Sequence, residues 1–166
     1  MALKADRHEE TTDISFFYNT GTATRGGVVI YDTSQNTASG AAMDQGANLV
    51  KYKACADTDI PVGILMNDVV NKDLTRTHLN EHKDEVQQGG KVTILTKGWV
   101  VTNNVTGTPT PGLMAYADTV TAGNITATVP GLGPGSGNRA VGRWMSYKDS
   151  DGYAKLSVNL PNHGGN

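Results

Sequence analysis

The sequence predicts an all-β fold, a small β-barrel or sandwich of about ten short strands, and three observations predict it. Short runs rich in Val, Ile, Thr and aromatic residues recur along the chain. Twenty of the 166 residues are Gly, placed largely between those runs, where a chain that turns often needs them. No long stretch carries the apolar period of a dockable amphipathic helix. One domain is the expectation at this length, and it can bury roughly 70% of its unfolded surface without disulfides or metals.

The densest β signal is Lys91-Val92-Thr93-Ile94-Leu95-Thr96-Lys97, followed by Gly98 and the apolar run Trp99-Val100-Val101. Alternation places Val92, Ile94 and Thr96 on one face and Thr93, Leu95 and Lys97 on the other, and Gly98 reads as a kink between two strands. Before this spine, residues 1 to 13 are polar and mixed in charge, an extended N-terminal arm with no apolar period and nothing of its own chain to pack against. Ile14 to Tyr18 holds both Phe residues of the chain and reads as a short strand needing cover. A turn-then-strand unit is expected at Arg25–Asp32 and strands at Asn48–Lys53 and Pro61–Met66, the last opened by its proline. Residues 71 to 88 are highly charged, with apolar side chains only at Leu74, Leu79 and Val86, a long charged loop off the barrel. Beyond the spine, strands are expected at Leu113–Ala117 and Ile125–Val129. A final hairpin joins Ala140–Tyr147 to Tyr153–Leu160 through a turn ending in Asp151-Gly152. The division is therefore an arm at 1–13, a β domain at 14–160 with its excursion at 71–88, and a tail at 161–166.

A formal net charge of −2 gives no electrostatic case for nucleic acid or an anionic membrane as partner. Only 18% of residues are charged, a sparse surface that points to assembly. Cys55 is the single cysteine, so no intramolecular disulfide forms. The charged N-terminus has no signal-peptide core and no window is long and apolar enough to span a bilayer, so synthesis in the cytoplasm is expected.

Few patterns carry chemistry. His78-Leu79-Asn80-Glu81-His82 fits H-x-x-E-H, whose two His and Glu bind and use zinc on a helix. That chemistry needs a further carboxylate ligand, and the only Glu residues are 9, 10, 81 and 85, so the segment reads as a solvated loop without metal. Asp149-Ser150-Asp151-Gly152 lacks the later ligands of a calcium loop and reads as a turn. No Ser stands in a G-x-S-x-G elbow. Trp99 and Trp144 are read as core or subunit contacts. Neither a catalytic residue nor a cofactor is expected.

The order of the units Gly26-Gly27-Val28-Val29, Pro61 to Val70, Gly90 to Val100, Pro111 to Tyr116, Ala140 to Trp144 and Lys155 to Leu160 resembles the capsid decoration or cement proteins of tailed bacteriophages. The resemblance implies a structural virion protein, no enzyme, that sits on the exterior of an expanded head and cements neighbouring major capsid subunits. It also implies self-association as a homotrimer. On that reading Leu3, Arg7, Ile14, Phe16 and Phe17 are candidate capsid-binding residues, and Trp99 and Trp144 candidate subunit contacts. The competing class is a small β-rich module of a phage particle that binds carbohydrate or a host-surface ligand.

Overall fold

In the computed structural model, residues 3–18, 21, 23–33, 48–68, 85–86, 90–129 and 139–160 are described. The chain is organised by β8, Val92–Thr102, whose β-branched run forms one strand of eleven residues. Gly98 does not split it. Its φ of 142°, a conformation L side chains rarely adopt, lies within the strand, and a Cβ there would collide with the His8 carbonyl oxygen, so the glycine admits a neighbouring backbone.

That neighbour is the N-terminal segment. β1, His8–Asp13, pairs antiparallel with β8, setting His8 opposite Trp99 and Asp13 opposite Ile94. The contact runs past both ends of β1. Lys4 N donates to Val101 O at 2.9 Å and Leu3 bridges Thr102; at the other end Val92 N donates to Phe16 O at 3.1 Å and Tyr18 N to Gly90 O at 3.0 Å. The expectation of an arm without a partner in its own chain is thus corrected. A polar segment needs no apolar period to satisfy its backbone along a free sheet edge.

The other edge of β8 is shared. β6, Pro61–Asp68, pairs with residues 92–95, and β13, Ala154–Asn159, pairs with residues 97–102. Because Ile94 and Leu95 also pair with β1, as do Lys97 to Trp99, β6 and β13 lie end to end on one edge and β1 covers the opposite one. β8 therefore joins two halves of a single sheet that curls as a half-barrel. From β6 the first half continues through β4, Val28–Tyr31, and β5, Leu49–Lys51, to β2, Phe17–Tyr18. From β13 the second half continues through β12, Ala140–Trp144, β10, Met114–Ala117, and β11, Ile125–Thr126, to β9, Val105–Thr106. β3, Ala23–Thr24, pairs separately with β7, Glu85–Val86. Of the long loop at 71–88 only Glu85–Val86 is described, as strand β7; the rest of it, the tail and the intervening loops at 34–47 and 130–138 lie outside the described residues.

Two apolar cores follow from this layout. The larger fills the concave side with Ile30, Ile64, Leu95, Val100, Trp144, Leu156 and Val158. The smaller lies behind the first half, where Val29, Val50, Leu65, Val92 and Ile94 pack with Tyr18, and Phe16 and Tyr52 close over them. The all-β expectation holds, with half-barrel curvature and shorter terminal strands than the runs suggest: only Phe17–Tyr18 of residues 14–18 and Ile125–Thr126 of residues 125–129 are strand.

Candidate interaction surface

The residues singled out in the N-terminal segment fall in different environments. Leu3 is 7% exposed and belongs to the larger core. Arg7 is exposed, its Nε donating to Glu9 Oε1 at 2.6 Å. Ile14, in the link between β1 and β2, is 53% exposed. Phe16 is half-buried over the smaller core and meets the Tyr31 ring edge-on, with centroids 5.8 Å apart. The backbone of Phe17 pairs with Leu49, and its side chain lies outside what is described. At the base of the arm Ile14 is exposed and the partly exposed Tyr31 ring meets Phe16, while Tyr31 N donates to the carbonyl oxygen of the exposed Ile60. Leu3 is an anchor of the segment to its own chain.

The two tryptophans separate as sharply. Trp144 is 1% exposed inside the larger core, so its ring has no surface to offer another subunit in this fold. Trp99 is half-buried on the convex face, with His8 stacked on it at 6.4 Å and the Lys155 ammonium 3.4 Å from its ring centroid. A cation over an indole face is held by the ring quadrupole. Beside this cluster Lys97 pairs with Glu10 at 2.7 Å. The lysine, by hydrogen bond and charge, holds the Glu10 carboxyl below the usual carboxylate range.

An ion pair between a buried arginine and an exposed aspartate, invisible in the sequence, lies elsewhere. Arg139 is 3% exposed and contacts Asp57 at 3.1 Å. It lines a hollow of about 320 Å³ with Asp118, Thr106 and Thr126. Asp118 is itself buried, its oxygens accepting from Thr106 Oγ1 at 2.6 Å and from Val120 N at 3.0 Å. A buried guanidinium needs such a counter-charge, and Arg139 ties the 56–59 turn to the β9–β11 end of the sheet. No spacing rule joins Asp57 to Arg139 in advance. Cys55 lies nearby, and burial followed by the Asp59 charge pushes its thiol up to about 11, an inert buried group.

Among the described residues no cluster of three His, Cys, Asp or Glu could hold a metal ion; His78 and His82 lie outside them. No helix among the described residues is long and apolar enough to cross a membrane. Among the described residues two exposed features stand out: Ile14 and Tyr31 near the arm base, and the face carrying Trp99 under the Lys155 ammonium. A family model described as structural cement protein (E217 gp24/Pam3 gp6) matches residues 11–159, from within β1 to the last residue of β13. No curated protein matches the sequence.

Proposed function

This chain belongs to the phage structural cement protein family, and on that premise we propose that it settles on the exterior of an expanded bacteriophage head and clamps neighbouring major capsid subunits. The family match along the whole sheet carries this reading, since a structural phage part is what that family is. The reading makes the protein a capsid component rather than an enzyme, resident in the virion after synthesis in the host cytoplasm.

The exposed residues Ile14 and Tyr31, with Arg7 along the arm, are what meets the capsid on this reading. Phe16 contributes its exposed part, Leu3 joins only if the segment leaves its edge of β8, and Phe17 shares the base of that segment. Self-association as a trimer suits a threefold site on a head, and Trp99 is the tryptophan with a face available to a neighbouring copy. Purified protein mixed with isolated expanded heads is expected to co-sediment saturably and to raise the temperature at which the heads lose integrity. Heads that sediment without the protein, at concentrations of tens of micromolar, would end this reading.

A further inference from the structure

The convex face of the second half has a specific composition. Pairing aligns one cross-strand row of outward residues: Met114 opposite Arg143, Arg143 opposite Ser157, Ser157 opposite Trp99, and Trp99 opposite His8. At the β10–β12 end this row opens into a groove of about 500 Å³ lined by Met114, Arg143, Met145, Ser157 and Asn159. Met145 is 47% exposed and Leu113, next to Met114, is 52% exposed. Unbranched, polarizable methionine side chains adapt to an inserted apolar group.

The groove's charge is one-sided. Arg143 is its single charged lining residue, exposed, with one guanidinium nitrogen on the Gly112 carbonyl and no carboxylate beside it among the described residues. The next cation along the face, Lys155, rests on Trp99, while the Glu10 carboxylate is held by Lys97. A guanidinium anchored by one donor keeps its remaining donors oriented, and the partner these fit best is a carboxylate.

We infer that this groove is a docking site for an extended protein segment that places an apolar side chain between Met114 and Met145 and a carboxylate on Arg143. This deepens the proposed function by giving the chemistry of the partner, and rests on that reading only for the partner being a capsid segment.

The test uses the full-length protein with ¹³C-labelled methionine methyl groups, titrated with the capped peptide Glu-Leu-Glu-Leu-Glu and its Lys-Leu-Lys-Leu-Lys counterpart. The Met114 and Met145 signals are expected to shift with the acidic peptide alone, while Met66, buried in the core, stays still. Arg143→Glu is expected to weaken the acidic peptide by about tenfold or more and to reverse the preference. Should that variant fail to fold, Met145→Glu, which sets a carboxylate in the groove, must show the same loss. Still signals, equal response to both peptides, or an unchanged response in the folded variant would overturn the inference. Peptide docking by a protein that does not bind heads would leave the inference standing and remove the proposed function instead.

Discussion

The two halves of the sheet differ in how many faces they bury. In the first half, Val28 to Ile30 and Val62 to Met66 are buried without interruption, apart from the small Gly63, because one core lies in front and another behind. In the second half, β13 alternates: Ala154, Leu156 and Val158 face the core while Lys155, Ser157 and Asn159 do not. A strand covered on both sides reads as a continuous apolar run, and a strand covered on one side reads as alternation. The comparison teaches where function can sit. The central strands of the first half are covered on both faces, and the second half leaves one face exposed.

The largest effect that could break this comparison is at the tryptophans. Trp144→Ala empties part of the larger core and is expected to cost about 3–5 kcal/mol. Trp99→Ala is expected to cost about 1 kcal/mol, the worth of its contact with the Lys155 ammonium. Urea unfolding of the two variants measures both, and equal losses would mean that the convex face is not the free side.

Next in size is the N-terminal segment, which closes the edge of β8 that both halves share. Deleting residues 2–12 removes Leu3 from the core, worth about 1.5–3 kcal/mol by burial alone, together with the β1 pairing. An unchanged melting temperature would show that the segment is not held by the sheet. Gly98→Ala sharpens the point, since the new methyl group meets the His8 carbonyl. It is expected to strip hydrogen-exchange protection from β1 while sparing β12.

How much of this was legible in the sequence can be judged from particular residues. The doubly buried runs, the alternating β13 and the turn at Asp149–Gly152 follow from composition and period. Asp149 Oδ1 accepts from the backbone of Asp151 and of Tyr153, as the turn reading implies. The direction of Trp99 was not legible. Between the pairs Leu95–Thr12 and Lys97–Thr11 the spine has one residue more than β1, a bulge at Thr96. Leu95 and Val100 consequently face the same core although five positions apart, and Trp99 turns outward. A bulge depends on the partner strand, and the partner here is a polar segment whose pairing leaves no hydrophobic pattern. The same holds for the Asp57–Arg139 pair, joined by the fold across 82 positions (139 minus 57). His78 and His82 belong to a motif that the described residues do not include.

A smaller effect concerns alkaline pH and falls mainly on the first half. Burial raises Tyr18, with the Tyr52 charge adding to it, and burial raises Tyr52 against a hydrogen bond to Thr24. Cys55, raised from 9.0 to about 11, behaves alike. These groups stay protonated in the fold at pH values where the unfolded chain releases its protons, so raising the pH favours unfolding. Stability is expected to be whole below about pH 9 and to fall as pH climbs toward 11, with a gentler initial fall in Cys55→Ala. Thermal melts between pH 8 and 11 follow this, and a flat profile would place these side chains in water.

The central claim, that the convex face of the second half meets the capsid while the interior stays sealed, is tested most directly by hydroxyl-radical footprinting of the protein free and bound to expanded heads. The prediction is a several-fold loss of oxidation at Met114 and Met145 on binding, with Met66 and Trp144 unreactive in both states. Met114 and Met145 oxidised as fast on heads as in free protein would contradict it.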